Sequence, residues 1–287
     1  MAMTTADGSG RPLVPVDQVQ QALVLPVTRT SIAARVSTQT TTANNEVHIP
    51  IVTGDPSTDW VAEGEEINPS NSTFNEITVT PSKVAGLTVI SRELAEDSTP
   101  GATDIISAGL SRDIVTKIDA AYFGALAAPA PSGLGALTGV TAVDAGDSWE
   151  AVTIDPFIVA MSNAATVGAT ITAFVTNPAD ELALARLKQA TGSNLPLLEV
   201  TRPTDTDAPV RTIAGVPLYV TTAVAPGTVW GIPQAFSQFV LRESAELAVD
   251  QSAFFTSDRV AIRATMRVGF AFPYPQAVQH ITLSTGA

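Results

Sequence analysis

One stretch of the chain repeats an apolar residue at every fourth position: Ile106, Leu110, Ile114, Ile118, Tyr122 and Leu126, with Ile105, Val115 and Ala121 widening the stripe. That period gathers them on one face and predicts an α-helix of about 25 residues, roughly 37 Å at 1.5 Å per residue. Thr99 is suited to cap it, Pro100 to its first turn, and Asp104 to the positive end of its dipole. Ala128-Pro129-Ala130-Pro131-Ser132-Gly133 ends it. A helix of this length with a single apolar stripe must have other elements packed along it.

Strands supply the partners. From Asp258 to Phe272, Val260, Ile262, Ala264, Met266, Val268, Phe270 and Phe272 fall on one face, and Arg259, Arg263 and Arg267 on the other. A final strand, Ala277 to Leu283, follows Pro273-Tyr274-Pro275. Val47, Ile49 and Ile51 alternate as a strand that Gly54-Asp55-Pro56-Ser57 breaks, and Ile77, Val79, Leu87 and Val89 read as its return. About twenty-five polar residues between them make a long protruding hairpin, a loop size usually tied to function or disorder.

Residues 150–250 mix both periods. Pro156 to Val167 reads as a helix, Ile171 to Thr176 as a strand, and Asn177-Pro178 as the start of a helix that runs past Arg186 and Lys188 to Gly192. Strands at Val216 to Val220 and near Phe236 to Arg242 follow. Residues 1–45 read as an extended arm with a short helix near Val16 to Leu23 and an alternation, Leu23 to Val27, that Pro26 stops. The fold class is α+β.

Charge is unevenly spread. The chain has 28 acidic and 15 basic residues, a formal −13, which argues against a main role in gripping nucleic acid phosphates. Ten acids between Glu46 and Asp97 face only Lys83 and Arg92, so residues 46–100 carry −8. The acidity belongs to the hairpin rather than to the surface at large. The uncharged run Thr212 to Leu241 is long enough to span a bilayer, but Pro217, Pro226 and Pro233 would break a spanning helix, and short buried strands fit it better. Met1 to Asp17 has no basic segment leading into an apolar one, so no secretory signal is read there.

Groups that do chemistry are scarce. There is no cysteine, so disulfides, thiolate metal sites and cysteine nucleophiles are excluded, and the two histidines, His48 and His280, cannot form a multi-histidine centre. Gly133-Leu134-Gly135-Ala136-Leu137-Thr138-Gly139 is one residue too long for a dinucleotide fingerprint and follows a helix instead of a strand. Asp205-Thr206-Asp207 lacks the glycine and distant glutamate of a calcium loop. Glu65 and Glu66 form a carboxylate pair, but nothing apparent buries them to drive their pKa values apart. No enzyme activity, metal or cofactor is expected. The arginine row on a −13 chain suits acids of another copy better than nucleic acid, because the complementary acidic loop is in the same sequence.

These residues carry a resemblance. Trp60-Val61-Ala62-Glu63-Gly64-Glu65-Glu66-Ile67, Phe74, Pro81 with Lys83, and Ser91-Arg92-Glu93-Leu94 followed by Asp97 resemble the major capsid proteins of tailed bacteriophages, which have the Hong Kong 97 fold. The order continues through Tyr122-Phe123-Gly124, the Gly133-to-Gly139 turn, Val175-Thr176-Asn177-Pro178, Gly215-Val216-Pro217-Leu218 and the arginine strand. The similarity covers about residues 46–283.

The resemblance implies an arm at 1–45, an extended loop at 46–92 lying over a neighbouring subunit, a peripheral domain with the spine helix at 93–144, an axial domain at 145–250 and peripheral return strands at 251–287. It implies self-assembly into pentamers and hexamers that close an icosahedral shell around double-stranded DNA, with weak direct DNA binding and no membrane. Assembly in the host cytoplasm is expected, with a portal, a separate scaffolding protein and in some cases decoration proteins as partners. Trp60, Glu63, Glu65, Glu66, Arg259, Arg263 and Arg267 are the candidate inter-subunit contacts. Some members of the family cross-link a loop lysine to a neighbour's asparagine. Residues 47–82 contain no lysine, so no cross-link is expected. Two alternatives stand beside this reading: an encapsulin-type nanocompartment shell and, further off, a carbohydrate-binding or hydrolytic α+β protein.

Overall fold

The computed structural model describes residues 25–66, 69–93, 102–149, 153–189, 193–201 and 210–283. Its organising element is the long helix, α3 (Ala102–Phe123), preceded by two short helices, α1 (Leu25–Thr30) and α2 (Ile32–Val36). At 22 residues α3 is about 33 Å long. Ile114, Val115, Ile118, Ala121 and Tyr122 are buried as the stripe requires, whereas Ile105 and Leu126 are exposed. Thr99 and Pro100 lie outside the described residues. At the other end the Gly124 N–H bonds back to the Ala120 carbonyl.

A four-stranded sheet in the order β1 (Thr38–Thr42), β11 (Gln238–Phe254), β12 (Arg259–Ala271), β4 (Ser82–Ser91) covers α3. The even-numbered residues of β12, Val260 to Phe270, pack with Ile114, Ile118 and Tyr122 in one core, so burial of the apolar face drives the pairing of sheet and helix. Tyr122 lies among Phe123, Phe270 and Phe272 in edge-to-face contacts with ring centroids 4.9 to 5.4 Å apart.

The second sheet has seven strands in the order β5 (Thr141–Asp144), β13 (Gln279–Thr282), β10 (Thr228–Ile232), β6 (Ala173–Thr176), β9 (Val216–Val220), β8 (Val210–Ile213), β7 (Glu199–Thr201). Its central strand β6 is buried at all four residues, which is why its sequence shows no alternation. Helix α4 (Asp155–Thr166) lies over β5 and β13, and Phe157, Phe174, Trp149 and Ile281 fill the space beneath. Helix α5 (Pro178–Arg186) starts where Asn177 accepts the Ala179 N–H. It stops at Arg186, short of the expected Gly192, which lies outside the described residues.

Two readings change. Pro26 opens the helix α1 instead of stopping a strand, as its missing N–H allows in a first turn. The expected helix at Val16 to Leu23 lies outside the described residues. The return of the hairpin is two strands rather than one: β3 (Thr73–Val79) pairs with β2 (Val47–Gly54), then Pro81 interrupts and β4 joins the other sheet against β12. Proline cannot donate to a ladder, and its fixed φ redirects the chain there.

Strand pairing also joins segments drawn from different expected spans. β11, drawn largely from the span expected to be axial, is the partner of β12 over almost its whole length. β5 and β13, from the spans expected to be peripheral, close one side of the seven-stranded sheet. Strand membership follows long-range register, which a local pattern does not encode.

Candidate functional site

The β2–β3 ribbon stands on the outer face of the four-stranded sheet. Val47, Ile49, Ile77 and Val79 form a small core with Val240 and Ala271. Gly269 permits the approach, since a Cβ there would lie 2.7 Å from Val79 Cγ1. The Tyr274 hydroxyl donates to the Val52 carbonyl at 2.8 Å, and Phe236 packs edge-on against the Tyr274 ring at 5.0 Å. The base of the ribbon is thus apolar and braced.

Beyond it the ribbon carries a polar tip. Asp55, Asp59, Glu63, Glu65 and Glu66 are exposed, and Trp60 is fully exposed. The tip has internal order: Glu65 N–H bonds to the Ala62 carbonyl at 3.1 Å around Gly64, whose φ is +89°, and Ser70 Oγ donates to the Ser57 carbonyl at 2.9 Å. A bare indole among carboxylates is a costly surface for an isolated subunit and a common one for a contact. Ile67 lies outside the described residues.

The arginines of β12 do share the face opposite the core, as their spacing predicts. The structure then separates them. Arg263 donates to both carboxylate oxygens of Glu246 at 3.1 and 3.2 Å, a half-exposed pair within its own chain. Arg259 is exposed beside Ser91 and Phe254. Arg267 is flanked by Arg242 of β11 on one side and Lys83 of β4 on the other. Three cations therefore form a row across three strands, and among the described residues none has an ion-pair partner. Directly opposed like charges destabilise a sheet, so the row costs the isolated chain stability. Arg242 and Lys83 were absent from the candidates because only cross-strand register brings them to Arg267. No ion pair joins Glu63, Glu65 or Glu66 to these arginines within the chain, among the described residues.

The other polar groups have structural partners. His48 lies 3.4 Å from Glu76 and 3.2 Å from Thr78 on the exposed ribbon. His280 stacks on Trp230 with centroids 4.1 Å apart, and burial lowers its pKa. The glycine run after α3 is a close-approach device: a Cβ on Gly133 would lie 1.9 Å from the Ala121 carbonyl oxygen. Asp205 and Asp207 lie outside the described residues. Among the described residues no group of three histidine or acidic side chains is placed to hold a metal ion, and no helix is long and apolar enough to cross a membrane.

The model of the phage capsid family matches residues 10–283, nearly the whole chain. The chain belongs to the phage capsid family. It is a structural capsid protein and a virion component, and the encapsulin and hydrolase alternatives gain no support. Solved structures share its fold. One from Mycobacterium phage Adephagia is 17% identical, with a TM-score of 0.70 over 90% of this chain and 91% of that one. A structure titled "Capsid of native GTA particle computed with C5 symmetry" is 14% identical, with a TM-score of 0.69 over 99% and 96%. One from Microbacterium phage Oxtober96 is 15% identical, again at 0.69 over 99% and 96%. The α+β architecture is consistent with the Hong Kong 97 type that the sequence resembles. No curated protein matches the chain.

Proposed function

We propose that this capsid protein assembles through pentamers and hexamers into a closed icosahedral shell around double-stranded DNA. The observation that carries the reading is a braced ribbon whose acidic tip bears an exposed tryptophan and, among the described residues, has no ion pair to the rest of its subunit, together with a basic row on the sheet behind it that has no ion-pair partner among the same residues. Each surface wants a complement, and a second copy of the same chain supplies both. Head-to-tail contacts of this kind generate rings, and repeated rings close a shell.

In this reading the region around α3 and the four-stranded sheet is peripheral in each capsomer and the seven-stranded sheet is axial. The ribbon reaches over the next subunit, with Trp60, Glu63, Glu65 and Glu66 set against the arginine face, whose guanidinium groups donate to the carboxylates. The net −13 leaves DNA enclosed and weakly bound. The portal, a separate scaffolding protein and decoration proteins are further partners, and assembly takes place in the host cytoplasm. No covalent cross-link and no catalytic step is needed, because many weak contacts add up over the shell. Electron microscopy of the purified or scaffold-co-expressed protein is the test. Closed spherical particles or capsomers are expected, and a strictly monomeric field under assembly-favouring conditions overturns the proposal.

A further inference from the structure

Strand β4 is an edge of the four-stranded sheet, so one row of its backbone groups has no strand beside it. Between that edge, α3 and the turn after α3 runs an open trough of about 480 Å³. Val84, Gly86, Leu110, Ile114, Leu126 and Pro129 line it, and the rim carries Lys83, Asp113 and Lys117. Leu126, just past the end of α3, is half exposed although it continues the apolar spacing of Ile114, Ile118 and Tyr122, which are buried. The trough is apolar enough to hold a ring and open enough to admit one. Lys83 belongs to both features: it lines the trough and ends the Lys83–Arg267–Arg242 row.

We infer that this composite surface seats the ribbon tip of a neighbouring copy, with Trp60 of that copy in the trough and its carboxylates along the cationic row. The inference rests on the shell reading and adds to it the receptor that the arginine strand alone does not define. Three features of the chain select this occupant over an unrelated partner. The tip presents a fully exposed aromatic ring, the residue type that anchors interfaces when set in a pocket. Its flanking groups, Asp59, Glu63, Glu65 and Glu66, are all acidic, and those beside the trough are largely basic. Finally, Arg263 is already engaged by Glu246, whereas Arg267, Arg242 and Lys83 stand side by side and have no ion-pair partner among the described residues. The carboxylates then relieve the like-charge repulsion that the row imposes on the free subunit.

The composition of the chain makes the test clean. Trp149 and Trp230 are buried within the subunit, at 3% and 5% exposure, so any assembly-dependent change in tryptophan emission or acrylamide access reports Trp60. With no native cysteine, Val61→Cys combined with Ala127→Cys places the only two thiols on the tip and on the exposed trough wall. Expected for assembled particles are a blue shift, loss of acrylamide quenching that Trp60→Phe abolishes, and denaturant-stable oligomers after treatment with a short bis-maleimide. Particles that form with Trp60 still quenched as in free subunits, or whose double-cysteine variant yields no oligomers beyond those of the two single-cysteine chains, overturn this seat while leaving the shell reading intact. Failure of the wild-type chain to form any particle overturns both.

Discussion

Ser31 and Asp119, 88 residues apart in sequence, are joined by a buried hydrogen bond of 2.6 Å from the serine hydroxyl to Asp119 Oδ1. The same carboxylate accepts the Ala33 N–H on Oδ1 at 3.1 Å and the Ile32 N–H on Oδ2 at 3.2 Å, while Ser31 Oγ in turn accepts the Ala34 N–H. One side chain of the long helix thus satisfies the start of α2 and fixes the described end of the arm to the helix. Arg35, one turn further on, lies over the Tyr219 ring at 4.7 Å and ties α2 to the seven-stranded sheet as well.

Asp119→Ala leaves a hydroxyl and two N–H groups buried without acceptors, and should cost the subunit about 2–4 kcal/mol in denaturant unfolding. Asp119→Asn should cost less. Burial raises the Asp119 pKa despite the three bonds, so the ionised form carries a net penalty in the folded state. That penalty is present at neutral pH and is relieved as pH falls through the raised folded value towards the unfolded one. The wild-type minus Asn difference should therefore change between neutral and acid pH, whereas an unchanged difference contradicts a buried ionised carboxylate.

The Trp230–His280 stack predicts an acid-sensitive element. Burial lowers the His280 pKa, so the unfolded chain binds the proton more readily than the folded one. The stability contributed by neutral His280 is complete above the ordinary histidine value and is lost as pH falls below it, levelling once the lowered folded value is passed. His280→Gln should flatten the pH dependence of Tm in that window. Equal slopes in the two proteins would refute the assignment.

The hairpin between β8 and β9 turns through Ala214 and Gly215, both left-handed, with φ of 50° and 81°. Two consecutive positive φ values describe the turn that favours Asn-Gly, and alanine is strained there. Ala214→Asn should stabilise the subunit by about 0.5–1 kcal/mol in thermal or denaturant unfolding. A loss of stability would mean that the turn takes another form in solution.

Arg267→Glu should move stability and assembly in opposite directions. A glutamate between Arg242 and Lys83 replaces like-charge neighbours with opposite ones, gaining about 0.2–1 kcal/mol in the isolated subunit. The same change removes the centre of the proposed receptor, so particle yield should fall. Arg263→Glu, which faces Glu246, should lower subunit stability by up to about 1 kcal/mol and affect assembly less. Thermal unfolding and light scattering on both variants separate the two effects, and the reverse ranking in assembly would return the contact to Arg263.

Local pattern was enough to read the long helix, the arginine strand and the Asn177-Pro178 helix start, because each is a periodicity or a cap contained in a few consecutive residues. The pairing of β11 with β12, the transfer of β4 to the other sheet after Pro81, and the union of β5 with β13 were not legible. Each is a choice of partner across tens to hundreds of residues. The contact surface divided in the same way. Trp60 and the acids around it stood out as an acidic, Gly- and Pro-punctuated loop with a lone indole. The Lys83–Arg267–Arg242 row needed three registers at once, and the Ser31–Asp119 bond left no mark at all, since neither residue is unusual in its own segment.

The function assigned to this chain lies in surfaces that copies of it offer to one another. Sedimentation velocity over a rising protein concentration, with scaffold present, tests that claim most directly. The account predicts a slow boundary of subunits or capsomers joined, above a threshold concentration, by one fast boundary of closed particles. A single boundary with the mass of one subunit at every concentration would contradict it.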